Sequence, residues 1–353
     1  MHPVHPSLKL SATSRIEAMS HSVFAGHHEA IIIGGGQASL ATAYYLRKAG
    51  VDFLIVDDQP SPGGSWQQMW PSLTLFSTHD SSNLPGWPMP AYDGFPPAQH
   101  VVDYLTRYEQ RYDLPVQRPV RVERVEFDGQ HYLLHAGERF WSANYVVSAT
   151  GTWGAPFVPT YPGSFDGTMW HSTNYPGPEP FRGARVAVVG GANSGAQIAA
   201  ELSETSEVTW YTRGQPQWMP DEVDGRVLFR RNRLRALAVQ KGEPDPGADS
   251  DLGDIVMVPE VLTARNAGRL VATPMFTSLD ELDCDHLIWC TGFRPDLRPV
   301  RSELDDRLPK HPGLYLVGYG DWVGPGSATI TGVGPYARDT AREIAQALGK
   351  SLR

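Results

Sequence analysis

Residues 31–58 read IIIGGGQASLATAYYLRKAGVDFLIVDD, and this stretch decides the fold. Ile31, Ile32 and Ile33 make a β-branched strand of the kind that is buried on both faces in a parallel sheet. Gly34, Gly35 and Gly36 form a turn. A helix is expected from about residue 38 to 48, with Gly50 stopping it. A second apolar run, residues 53–56, ends on Asp57 and Asp58. The order strand, G-x-G turn, helix, strand, acid is that of a dinucleotide-binding βαβ unit, and Asp57 falls 23 positions after Gly34. Gly34 makes the tight turn and Gly36 lets the backbone approach a pyrophosphate. Gln37 and Ala38 open the helix, whose free N–H groups and positive dipole end favour that anion. Asp57 is placed to accept from ribose hydroxyls. The third glycine of the pattern is Ser39, a larger residue at a position of close helix–strand packing.

The same pattern returns once. The strand RVAVV, from residue 185, leads to Gly190-Gly191-Ala192-Asn193-Ser194-Gly195, then to the helix AQIAAELSE and the strand EVTWYTR. Here Gly190, Asn193, Ser194 and Gly195 are the candidate phosphate-turn residues. The acid is gone: 23 positions after Gly190 stands Arg213, preceded by Thr212. An Arg at that place accepts a 2′-phosphate and favours NADP over NAD; a surface Arg at a strand end is the plainer alternative. Two such units in one chain imply electron transfer between two cofactors.

The 353 residues suit about two domains, and 41 % hydrophobic with 20 % charged residues is the profile of a globular protein. A formal net charge of −9 argues against a nucleic-acid surface. The two cysteines, Cys284 and Cys290, make neither a C-x-x-C nor a zinc spacing. That count fits a reducing, cytoplasmic setting. Residues 1–29 hold five of the twelve His at irregular intervals, so no metal site is expected there. They read as a mobile extension without a signal peptide. No stretch of the chain reads as a membrane span.

Between the two units, residues 59–90 form a long Pro/Gly/Ser/Trp-rich loop. Loops of this length in compact domains are usually functional. Ser77, Thr78, His79, Asp80 and Asn83 are candidate substrate-side groups in it, each with a plainer role as turn former. A helix is expected at about 98–112, then short alternating strands ending at Ser148-Ala149-Thr150-Gly151. A Pro-rich connector, 154–162, reads as a boundary. Further on, a helix is expected within 215–235 and strands at 255–258 and 270–272. The strand HLIWC leads to Thr291-Gly292-Phe293. A last strand, GLYLVGYGD, ends on Asp321, and a Gly turn at 329–334 opens the C-terminal helix.

With these motifs the chain resembles the class B flavin-dependent monooxygenases, that is, the flavin-containing monooxygenases and their Baeyer–Villiger relatives, and it looks most like the short bacterial members. The resemblance runs from about residue 30 to the C-terminal helix. Its most specific motif, F-x-G-x-x-x-H-x-x-x-W, appears as Phe165, Gly167, His171 and Tyr175, with Tyr replacing Trp. It implies that His171 lies at the interdomain linker and helps couple NADP binding to flavin chemistry; a hydrogen-bonded hinge His is the alternative. Gly63-Gly64-Ser65-Trp66 resembles the family's GG-[ST]-W, which implies that Gly64, Ser65 and Trp66 lie against the flavin. Ala149-Thr150-Gly151 and Thr291-Gly292-Phe293 resemble its two A-T-G-type crossovers, so Ala149, Gly151, Thr291 and Gly292 are cofactor-side candidates. Asp321 resembles an acid that accepts from the flavin's ribityl hydroxyls. Gly332 and Val333 would bring a helix N-terminus to the flavin ring.

What the resemblance implies is an α/β fold with two Rossmann-like domains on the glutathione/thioredoxin-reductase plan. The NADP domain (156–282) is inserted in an FAD domain (30–155 and 283–353). The cofactors are FAD and NADPH, the partners O2 and a small molecule, and a homodimer is compatible with it. The implied activity is oxygenation of soft nucleophiles (sulfides, amines), or of ketones by Baeyer–Villiger insertion, through a C4a-(hydro)peroxyflavin. No side-chain nucleophile or acid–base pair is required, so no catalytic residue is assigned. Two alternatives stay open: an NADPH-dependent flavoprotein reductase or oxidase that passes electrons to a partner or to O2, and a non-catalytic flavin module.

Overall fold

The computed structural model describes residues 22–247 and 251–352. The first stretch of chain gives β1 (Val23–Ile33), α1 (Gln37–Lys48), β2 (Phe53–Val56), α2 (Ala98–Arg111), β3 (Val116–Gln117), β4 (Arg124–Phe127), β5 (Tyr132–Ala136) and β6 (Arg139–Ser148). These strands build one sheet in the order β3-β2-β1-β6-β5-β4. β1 pairs in parallel with β2 and β6, whereas β4, β5 and the first half of β6 form an antiparallel meander. Residues 23–29 do not belong to a mobile extension. They form the outer half of β1, with Val23 opposite Arg139 and His28 opposite Ala143. The remainder of the proposed extension, residues 1–21, lies outside the described residues.

The middle stretch gives β7 (Thr168–His171), β8 (Arg185–Val189), α3 (Asn193–Leu202), β9 (Glu207–Thr212), α4 (Gly225–Lys241), α5 (Pro259–Asn266), β10 (Ala272–Pro274) and β11 (His286–Trp289). They form a second, wholly parallel sheet in the order β10-β9-β8-β11-β7. β11 therefore pairs with β8 and β7, and the second unit runs past residue 282, where a boundary was expected, to the end of the apolar run at Trp289. Leu287, Ile288 and Trp289 are buried, so the strand is covered on both faces of this second sheet.

The chain then makes a small hairpin, β12 (Leu304–Asp305) with β13 (Leu308–Pro309), and returns to the first sheet through β14 (Leu314–Leu316), which pairs in parallel with the second half of β6. The last helix, α6 (Val333–Ala347), packs with α1 over that sheet. Ala38, Ala41 and Ala43 of α1 and Ala337, Ala341 and Ala345 of α6 are buried in one core, and small side chains allow close helix approach there.

Three local expectations shift. Residues 255–258 are buried but extended, with Ile255 bridging only Trp218, and Pro259 then opens α5 instead of a further strand. β10 lies two residues beyond the strand expected at 270–272. The last strand stops at Leu316, and Asp321 sits in a one-turn 3-10 helix, Gly320–Trp322.

Candidate active site

In both βαβ units the first glycine of the turn meets the crossover strand beside it. Gly34 has φ +106°, and a Cβ there would come within 2.6 Å of the Ala149 carbonyl oxygen. Gly190 has φ +144°, and its Cβ would collide with the Cys290 carbonyl. Each turn can thus lie against the end of a crossover strand only because it carries no side chain. Cys290 takes the place that Ala149 has in the first unit. It is buried, and burial pushes its thiol up to about 12, so it is a packing residue with little thiolate character.

The third turn position shows why one unit is tighter. A Cβ on Gly195 would collide with the Gly190 carbonyl, whereas the first unit accommodates Ser39, fully buried and with no partner for its hydroxyl.

A cleft of about 850 Å³ opens along the C-terminal ends of the first sheet and reaches the second unit. This is the upper part of the ~300–1,000 Å³ range of small-molecule sites. Gly34, Gly36, Gln37, Ala38 and Asp57 line it, and so do Gly64, Ser65 and Trp66 with Ala149 and Gly151. Asn193 and Ser194, the first residues of α3, line it from the second unit. Trp66 Nε1 donates to Gln37 Oε1 at 2.9 Å, and Gln37 Nε2 donates to the Ala328 carbonyl at 2.6 Å. One side chain thereby ties the Gly turn, the GGSW segment and the C-terminal loop together.

Other expected residues stand off the cleft. Gly190 and Gly195 are used in the internal packing just described. Thr212 is buried, its hydroxyl donating to the Gly214 carbonyl at 2.6 Å, and Arg213 is exposed at the end of β9. Thr291 and Gly292 belong to the second crossover, and the Thr291 hydroxyl donates to the Phe157 carbonyl. Asp321 is exposed and does not line the cleft. Gly332 and Val333 do not line it either. The Gly332 N–H donates to Thr329 Oγ1 at 3.0 Å, the Val333 N–H to the Thr329 carbonyl at 3.1 Å, and the Val333 side chain is in the core. The first N–H groups of α6 are therefore already satisfied.

His171 ends β7 and is 6 % exposed. Its Nδ1 accepts from the Thr173 N–H at 3.2 Å, its Nε2 has no hydrogen-bond partner, and its ring meets Phe293 edge-on at 5.4 Å. Burial lowers its pKa, only partly opposed by the Gly292 backbone. It is a neutral buttress against the second crossover rather than a group facing the cleft. Tyr175, in place of the motif's Trp, is buried between Trp70 and Phe181 and donates to Glu201 Oε2 at 2.8 Å.

Several cleft residues carry no motif. Trp70, Leu73, Leu75 and Phe76 come from the long loop and Gln197 from α3. Trp153 stacks on Phe293 with ring centroids 5.3 Å apart, one residue from each crossover. The length of that loop and its richness in aromatics were the available signals. The five loop residues offered as substrate-side groups are spent on the loop itself. Ser77 and Ser82 hydroxyls share a hydrogen bond of 2.8 Å, Thr78 donates to Asp80 Oδ1 at 2.5 Å, and His79 bonds the Tyr92 carbonyl at 3.0 Å. Asn83 Nδ2 donates to the Asp80 carbonyl and its Oδ1 accepts from the Met89 N–H.

Known proteins share this architecture. The sequence model of the pyridine nucleotide-disulphide oxidoreductase family matches residues 31–312. A solved flavin-containing monooxygenase from Stenotrophomonas maltophilia is similar with a TM-score of 0.81 and 42 % identity, over 92 % of this chain and 99 % of that one. The oxidoreductase CzcO of Bacillus subtilis is 28 % identical over 345 residues, 90 % of this chain and 99 % of its own. A Baeyer-Villiger monooxygenase of Streptomyces coelicolor is 25 % identical over 366 residues, 92 % of this chain and 68 % of its own. With two βαβ units lining one cleft, and with these relatives along nearly its whole length, the chain belongs to the class B flavin monooxygenases, in the pyridine nucleotide-disulphide oxidoreductase family.

Proposed function

We propose that the chain binds FAD along the first unit and NADPH at the second, and uses O2 to oxygenate small soft nucleophiles, sulfides and amines, or ketones by Baeyer–Villiger insertion. One observation carries this reading: a single cleft is lined by the Gly34–Gly36 turn and Asp57, by Trp66, and by Asn193 and Ser194 at the N-terminus of α3. Gly34, Gly36 and Asp57 would hold the flavin nucleotide in this cleft, and Asn193 and Ser194 the nicotinamide nucleotide.

The lining fits a flavin nucleotide. A Cβ on Gly36 would have nothing within 4 Å, so the turn's backbone faces open cleft, as a pyrophosphate requires. Asp57 supplies a carboxylate acceptor for ribose hydroxyls, and Trp66 and Trp70 supply flat apolar wall. Reduced flavin, when bound, supplies the activation of O2. The overall change is balanced by NADPH, a proton and O2 giving NADP⁺, water and the oxygenated substrate. The chain's own residues bind and orient. The stacked Trp153 and Phe293 and the buried His171 hold the two crossovers, and the aromatic loop residues keep water from the centre. Arg213 is the proposed 2′-phosphate partner. The likeness to the Streptomyces relative supports the ketone branch.

The test is aerobic turnover of the flavin-loaded protein with NADPH and either methyl tolyl sulfide or a cyclic ketone, with product and peroxide both quantified. Sulfoxide or lactone formed in proportion to NADPH consumed is the expected result. Stoichiometric peroxide with every substrate would replace oxygenation by a reductase or oxidase activity.

A further inference from the structure

Asp57 is 3 % exposed, and a carboxylate this deep requires a partner. Arg118, the residue after β3, provides it: its Nε donates to Asp57 Oδ2 at 2.6 Å. Its two terminal nitrogens donate as a fork to Glu109 of α2, Nη1 to Oε1 and Nη2 to Oε2, each at 2.8 Å. The Arg118 and Glu109 side chains are only 10 % and 15 % exposed. A carboxylate–guanidinium–carboxylate row is thus buried beside the first Gly turn. Its place is fixed by Gly35, the middle residue of the G-x-G: a Cβ there would collide with the Asp57 carboxylate and approach Arg118 Nη2 within 2.7 Å. The row fills the space that any side chain at position 35 would take.

The geometry divides the two oxygens of Asp57. Oδ2 is committed to Arg118, whereas Oδ1 has one partner, the Gln59 N–H at a long 3.4 Å. Asp57 lines the cleft and Arg118 does not. We infer that Arg118, anchored by Glu109, is a positioning residue for the flavin nucleotide: it holds the Asp57 carboxylate so that Oδ1 accepts from a ribose hydroxyl. This rests on the proposed FAD site in the first unit.

An ionised carboxylate accepts from a hydroxyl about twice as strongly as a neutral acceptor, and protonation turns one of its oxygens into a donor. Burial raises the Asp57 pKa, and the hydrogen bond and charge of Arg118 are the principal opposing influences. Burial also works against the Arg118 charge, but the hydrogen bonds to Glu109 and Asp57 outweigh it and hold the guanidinium charged. Removing Arg118 leaves Asp57 with the burial effect and moves its carboxyl further up. The variant's acid then takes a proton at a higher pH than the wild type's, so its flavin affinity falls as pH is lowered toward neutrality and below.

The experiment titrates apo-protein with FAD, following flavin fluorescence between about pH 6 and 8, where an ordinary carboxylate does not titrate. Wild type, Arg118→Gln, Asp57→Asn and the double variant are compared, each checked for folding by circular dichroism. Arg118→Gln is expected to raise the FAD Kd about tenfold at pH 7, with the gap widening toward pH 6. In the Asp57→Asn background the same change adds little, because Arg118 acts through Asp57. Should Arg118→Gln not fold, with two carboxylates left facing each other, Arg118→Lys keeps the charge without the fork. It is then expected to weaken FAD binding while leaving Kd flat with pH. A Kd for Arg118→Gln (or for Arg118→Lys in its place) that stays at the wild-type value at every pH overturns the inference. So does an equal loss with and without Asp57. In those outcomes the wild type still binds FAD and the proposed function stands. A wild type that takes up no FAD would overturn both.

Discussion

Arg213 and Asp57 occupy matching places, each 23 positions after the first glycine of its turn, and their surroundings explain their opposite chemistry. Asp57 is buried and clamped by Arg118; Arg213 stands in solvent directly after buried Thr212. The second turn lies beside that strand end, since a Cβ on Gly191 would be 3.5 Å from Thr212 Cβ. We propose that Arg213, at this strand end, takes the 2′-phosphate of the nucleotide. Arg213→Ala is therefore expected to raise KM for NADPH about tenfold or more, the cost of one charged hydrogen bond, with kcat and the KM for NADH nearly unchanged. Parallel losses with both coenzymes would remove this role. The acid and the Arg were legible from spacing alone. Arg118 was not, because it meets Asp57 across 61 residues of chain and belongs to no local pattern. Likewise His171 was identifiable by motif, but only burial shows that it buttresses Phe293.

At the scale of elements, α2 explains why the long loop is ordered. His100, Tyr104 and Tyr108 lie four residues apart, hence on one face of the helix. His100 Nε2 bonds the Pro90 carbonyl at 3.0 Å, and Tyr104 and Tyr108 hydroxyls donate to the Trp87 and Pro85 carbonyls at 2.6 Å each. The Leu84 N–H in turn donates to the Tyr104 oxygen at 2.8 Å. The loop between Leu84 and Pro90 is stapled to a rigid support. Tyr104→Phe and Tyr108→Phe should each cost about 1 kcal/mol in urea unfolding, and the amides of 84–90 should exchange faster. Unchanged protection in the double variant would mean that packing alone holds the loop. The periodicity of α2 was readable, and so were both βαβ units, because long periodic runs and glycine turns carry strong local signals. α5 was missed. The buried apolar run 255–258 looks like a strand, and a short apolar run cannot be told from other buried segments by periodicity. Asp321 and the 332–333 turn were located by motif alone, and their side-chain and N–H commitments depend on the whole C-terminal loop.

For the whole molecule, the decisive feature is how the two units are joined. The crossovers lie antiparallel and are bonded along their length: Phe157 N–H to the Gly292 carbonyl, Arg294 N–H to Ala155 and Asp296 N–H to Gly151, each at 2.9 Å. The Thr150 hydroxyl donates to the Asp296 carbonyl at 2.6 Å, and buried Tyr319 bonds Ser148 and Thr150, adding the final pass of the chain to the same knot. The repeat of strand, turn and helix made two units legible from sequence. The limits of the second unit were less so, because β11 and β7 reveal their sheet only by pairing. The first Gly turn and the first residues of α3 line the same cleft. We propose that this cleft passes electrons from a nicotinamide nucleotide held by the second unit to a flavin held by the first. Anaerobic mixing of the FAD-loaded protein with one equivalent of NADPH tests it most directly, read as flavin absorbance in a stopped-flow instrument. Full bleaching of the flavin band by NADPH is the expected result; a bound flavin that dithionite reduces but NADPH leaves oxidised would rule out this electron path.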